Sequence, residues 1–99
     1  MDAELQKIVD AVRAVEKQLR ETAVGPALTA RGLVPAVREE QILGAVASVL
    51  ETLQGLTGIF PDRMTTPTGR TTFHRVSKDL SGLALQLRAA EGRAAADHA

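Results

Sequence analysis

The chain has 99 residues, with 12 lysines and arginines against 12 aspartates and glutamates, two histidines, two phenylalanines and no cysteine, tryptophan or tyrosine. That length suits a single domain with a modest core to which oligomerisation would add usefully. Zero net charge gives no global attraction to nucleic acid or an anionic membrane, the near absence of stacking rings argues against aromatic single-strand binding, and the lack of cysteine excludes disulfides, thiolate nucleophiles and the common structural zinc sites.

The start, MDAELQKIVD, is amphipathic and acidic, unlike the basic head of a secretory signal, so a cytoplasmic protein is expected. Leu5, Ile8, Val12, Val15, Leu19 and Thr22 recur at steps of three and four, with Val9 widening the stripe, and predict an amphipathic helix over about 3–24. Asp2 and Glu4 suit the positive end of its dipole, and Glu16 to Arg20 has the favourable i to i+4 order. Gly25 and Pro26 are predicted to end this helix, the glycine as a left-handed cap and the proline as a breaker. In the loop that follows, about 25–34, Leu28, Leu33 and Val34 are expected to pack over one end of a bundle.

A second helix is predicted over about 35–59, opened by Pro35 and by Glu39 and Glu40. Ile42, Val46, Val49, Leu53, Leu56 and Phe60 form its large apolar stripe, thickened by Leu43 and Leu50 and expected to pack within the chain. Roughly opposite lie Gly44, Ala47, Ser48, Glu51, Gly55 and Gly58, a face of small residues predicted to admit the backbone of another chain. Glycines inside a helix each cost up to about 1 kcal/mol against alanine, so a compensating close contact is expected; a bent or early-ended helix is the alternative. Glu51 is the single charge between Gln41 and Phe60 and calls for an arginine from another helix or subunit, as a register-fixing pair or a catalytic acid. The same stretch is long enough to cross a bilayer, but Glu51, two glutamines and three glycines argue against a span.

The loop about 60–70 is polar and threonine-rich, and a third helix is predicted over about 71–92 from Phe73, Val76, Leu80, Leu83, Leu87, Ala90 and Ala94, with Thr71 or Thr72 as N-cap and a frayed tail at 93–99. Arg63, Arg70, Thr71, Thr72, Arg75 and Lys78 make the one clear charge asymmetry, a candidate anion, phosphate-ligand or nucleic-acid site at a helix start. TTPTGRTT lacks the lysine and the strand of a nucleotide-binding P-loop, and the two histidines, His74 and His98, are too far apart for a local metal pair. No cofactor or metal is called for.

The stretch PAVREEQIL resembles the Arg-Glu helix of small all-helical chorismate mutases, a likeness of a handful of residues that implies an oligomeric enzyme with an Arg/Glu pocket, here Arg38 and Glu51. The arginines those enzymes use at the start of their first helix have no counterpart before Arg13, and their late polar residue falls only to Gln86. The main expectation is therefore a single all-α domain of three helices over 1–99, a non-enzymatic interaction module that associates with itself as a dimer or higher oligomer and with another protein, and not with nucleic acid.

Overall fold

The computed structural model describes residues 2–98, with side chains from 3 to 97, so Met1 and Ala99, the last residue of the expected frayed tail, lie outside the described residues. The all-α class is what the structure has: every element among the described residues is helical, α1 (Asp2–Leu19), a π turn (Arg20–Val24), α2 (Gly25–Thr29), α3 (Ala36–Ile59), a 3-10 turn (Pro61–Arg63) and α4 (Pro67–His98). These fall into two compact units divided between Leu33 and Val34.

The first unit is a continuous helical rod. Gln6 Nε2 donates to Asp10 Oδ1 at 2.9 Å and Arg20 approaches Glu16 at 3.5 Å, both one turn apart on the solvent side. The expected stop at Gly25 and Pro26 does not occur. Pro26 has no N–H to offer the carbonyl one turn back, and its ring would clash there. The helix widens instead: the Gly25 N–H reaches back to the Arg20 carbonyl across the π turn, and α2 runs on to Thr29. Gly25 stays right-handed at φ −56°, so it is not a left-handed cap. The rod ends where Ala30 turns to extended backbone, with its N–H and the Thr29 hydroxyl both donating to the Pro26 carbonyl, at 2.9 and 3.1 Å. Gly32, at φ 98°, supplies the left-handed step of the connection. Leu28, Leu33 and Val34 are 81, 99 and 50% exposed.

The second unit is an antiparallel hairpin of α3 and α4. Pro35 caps α3 by accepting from the N–H groups of Arg38 and Glu39 at 2.9 and 3.0 Å. Pro61 ends the apolar run and is fully buried in the 3-10 turn, where Arg63 sits over the Phe60 ring, 5.6 Å from its centre. α4 begins four residues before the expected Thr71. Thr66 is its N-cap, accepting the Gly69 N–H on its hydroxyl at 3.0 Å, and Pro67 takes the first helical position, where a missing N–H costs nothing. Proline and glycine, read from sequence as loop formers, here start a helix. α4 also continues through the alanine-rich residues beyond 92, a composition with high intrinsic helix propensity.

The seam between α3 and α4 is made of small and polar residues. Ala47 is 0% and Ala84 5% exposed, and Gly44 is buried beside them. Along α3 the seam positions Gly44, Ala47, Glu51, Gln54, Gly58 and Pro61 alternate three and four, a heptad rhythm without a large side chain. Facing pairs run in opposite directions: a Cβ at Gly44 would meet the Glu91 carboxylate, Glu51 meets Arg88, and a Cβ at Gly58 would lie 3.4 Å from Ser77 Oγ. The Ser77 hydroxyl donates to the Gln54 carbonyl at 3.2 Å, a side chain reaching the opposite backbone because nothing larger separates the helices.

Candidate functional site

The small-residue face of α3 is occupied by α4 of the same chain. Of the six residues expected to receive another chain, Gly44 and Ala47 are buried under α4, Ser48 and Glu51 are exposed and hydrogen-bonded to Arg88, Gly58 is exposed and lies near Ser77, and Gly55 is exposed with nothing near its Cβ position. Of the large apolar stripe, expected to pack inside, Ile42 and Val46 are 53 and 44% exposed while Val49, Leu53, Leu56 and Phe60 are half-buried. The two helices come closest where glycine and alanine leave room, at Gly44 and Ala47.

Arg88 organises the polar border of the seam. Its Nε donates to Glu51 Oε2 at 3.0 Å and its Nη2 to Glu51 Oε1 at 2.6 Å, a two-pronged pair, while Nη1 donates to Glu91 Oε1 at 3.1 Å. Nη2 also donates to the Ser48 hydroxyl at 3.0 Å, and that hydroxyl donates to the Gly44 carbonyl at 3.0 Å. The hydrogen bonds from Arg88, more than its charge, hold the Glu51 carboxyl below the usual carboxylate range, and the two carboxylates raise Arg88 in turn. The arginine that Glu51 called for therefore comes from the neighbouring helix of its own chain. Glu91 went unread in the sequence, although its i+3 spacing from Arg88 was the available signal.

This arrangement spends its charges on one another. A carboxyl held low is ionised near neutral pH and has no proton to give. An arginine facing two carboxylates leaves no net positive charge for an anionic ligand. Arg38, the other half of the implied Arg/Glu pocket, donates to Gln41 Oε1 at 2.6 Å and lies thirteen residues from Glu51 on the same helix, about 20 Å along the axis, so the two share no pocket within the hairpin.

The candidate anion residues are spread out. Thr71 and Thr72 sit in the second turn of α4, not at its cap, and the Gly69 N–H that an anion would claim is already bonded to Thr66. Thr71, Arg75 and Lys78 follow one exposed ridge by their spacing, Arg70 and Thr72 project to other sides, and Arg63 stacks on Phe60. Among the described residues no group of three or more histidines, cysteines or acids could hold a metal ion.

What the hairpin does offer is an apolar side. Leu43, Val46, Leu50 and Leu53 share the flank of α3 next to the seam, Leu80, Leu83 and Leu87 that of α4, and an open groove of about 520 Å³ runs between them, lined by Leu50, Leu83, Leu87 and Ala90 with Arg93 at its border. On the rod, Leu5, Val9, Val12, Val15 and Leu19 are 41 to 50% exposed along one stripe. Set against family models, curated proteins and solved structures, the chain matches none, so the PAVREEQIL likeness carries no family with it.

Proposed function

We propose that this protein is a non-enzymatic interaction module that works by helix–helix association, with itself and through that assembly with another protein. The observation that carries the reading is the rod: five large apolar residues of α1 lie along one stripe, each more than two-fifths exposed, and no residue among 3–33 is buried. An amphipathic helix of this length gains most of its stability from covering its apolar face, since propensity alone leaves it marginal in water. The hairpin supports the same reading, because its leucines flank a seam whose buried apolar side chains are alanines.

A soluble, cytoplasmic setting is part of the proposal. The run Ala36–Arg63 is long and apolar enough to cross a membrane by length and composition. Crossing would place the Glu51–Arg88–Glu91 cluster in hydrocarbon, where charged groups are expensive, and this favours a protein partner over lipid.

Sedimentation velocity combined with far-ultraviolet circular dichroism tests the reading. Association should make both mass and melting temperature rise with protein concentration, as any equilibrium that stabilises only the assembled state requires. A single species of monomer mass with concentration-independent melting would overturn it.

A further inference from the structure

We propose that the peptide bond between Arg31 and Gly32 is the cleavage site of an arginine-directed serine endoprotease, which cuts the chain there first and releases the α3–α4 hairpin as a folded unit. This goes beyond the proposed function and does not rest on self-association.

A protease takes its substrate as an extended strand, pairing with backbone N–H and C=O groups as an added strand pairs with a sheet edge. A helix must unwind before it can be held this way. Of the 12 lysines and arginines, Arg31 alone lies outside a helix or helical turn, and every residue of its segment, 30–35, is exposed. Both ends of that segment are already extended, Ala30 at φ −67°, ψ 144° and Pro35 at φ −61°, ψ 148°. Between them the N–H groups of Arg31, Gly32, Leu33 and Val34 make no backbone hydrogen bond among the described residues, so they are open to a strand partner. Gly32, at φ 98°, is the residue that must swing into line, and glycine does so without the steric penalty of a side chain. Having no Cβ, it also leaves room for a nucleophile beside the Arg31 carbonyl.

Charge selects the class of protease. Between residues 22 and 37 Arg31 is the single charged side chain, and among the described residues its guanidinium has no hydrogen-bond or ion-pair partner. Arg63, by contrast, lies over the Phe60 ring and gives its N–H to the Phe60 carbonyl at 2.9 Å, while Arg88 is held by Glu51, Glu91 and Ser48. A specificity pocket closed by a carboxylate takes a free arginine. The protease serine attacks the Arg31 carbonyl carbon, the C–N bond to Gly32 breaks and the Gly32 nitrogen leaves with a proton; water then frees the Arg31 carboxyl and restores the serine. The cut falls just before the boundary between the two units, so residues 1–31 keep α1, the π turn and α2, and residues 32–99 keep α3 and α4. The pairs that hold the hairpin, Glu51 with Arg88 and Gln54 with Ser77, remain in one piece.

The test is trypsin at low ratio to the full chain, followed by intact-mass spectrometry and far-ultraviolet circular dichroism. Fragments 1–31 and 32–99 should appear first, every other cut being at least about tenfold slower because it waits for a helix to open. Later cuts should spread through 1–31, which has no buried residue among 3–31, before they enter 32–99. Arg31→Gln should slow the first cut by about a hundredfold or more, since the protease pocket loses its charged ligand. Arg31→Lys should restore it, and neither change should alter the helical signal of the uncut chain. A first cut at Arg63 or within 2–24, or an unchanged rate for Arg31→Gln, would overturn the site. A 32–99 product that loses its helical signal, or is degraded as fast as it forms, would overturn the release of a folded hairpin.

Discussion

The rod and the hairpin are written in the same helical rhythm, yet they use it differently. In residues 2–29 the three-and-four spacing carries valines and leucines, and the stripe is left exposed. In residues 36–98 a parallel rhythm of glycine, alanine and polar residues makes the seam, while the leucines beside it form an outer flank. Periodicity marks a face; side-chain size decides whether two helices of one hairpin close on it or leave it for something else. The comparison also separates two means of specification. The rod is shaped by its local sequence alone, through the π turn that Pro26 imposes, whereas the hairpin is specified by facing pairs up to 47 positions apart, Gly44 to Glu91.

The largest expected effect tests the local means. Pro26→Ala should restore ordinary α-helical bonding across Arg20–Thr29 and stabilise that stretch by up to about 3 kcal/mol, the cost of an interior proline. Slower amide exchange confined to this stretch would be the readout, with Ala36–His98 unchanged. The next effect tests the seam. Ala47→Leu adds bulk at a position with 0% exposure and should destabilise the hairpin by about 1–3 kcal/mol in urea unfolding. The same change at exposed Ala11 on the rod should stay within about 0.5 kcal/mol; equal effects at both sites would erase the distinction between rod and hairpin.

Thr66→Ala should cost about 1 kcal/mol by removing the acceptor for the Gly69 N–H, with fraying limited to the start of α4; loss that begins instead at Thr71 would return the cap to the later threonines. The smallest effect is electrostatic. The Glu51 carboxyl lies below its ordinary range in the folded hairpin, so its contribution is complete above the unfolded value and is lost as pH falls through the lowered one. Glu51→Gln should flatten this acid limb of the stability curve and leave neutral behaviour little changed, since solvent-exposed pairs contribute little.

Much of the fold was legible because helices announce themselves over one turn. The stripe of α1, the proline-led start of α3 and the run ending near Pro61 can all be read residue by residue. The starts and stops around Pro26 and Thr66–Pro67 misled because proline reads as a breaker in isolation, while its effect depends on which carbonyls need partners. The site was half legible. Glu51 declared itself as a lone charge requiring an arginine, and the small-residue face declared a close contact. Which arginine, and whose backbone, were not readable, since Arg88 lies 37 residues from Glu51.

The sequence by itself determined the helical class, the rhythm of each segment and the presence of two kinds of face, because these follow from the rise and turn of one helix and the chemistry of each side chain. Only the tertiary structure decided which face is inside. Burial is settled between elements: glycine and alanine allow α3 and α4 their closest approach, Arg88 bridges Glu51 and Glu91 at its border, and leucines lie half-buried or exposed on the flank.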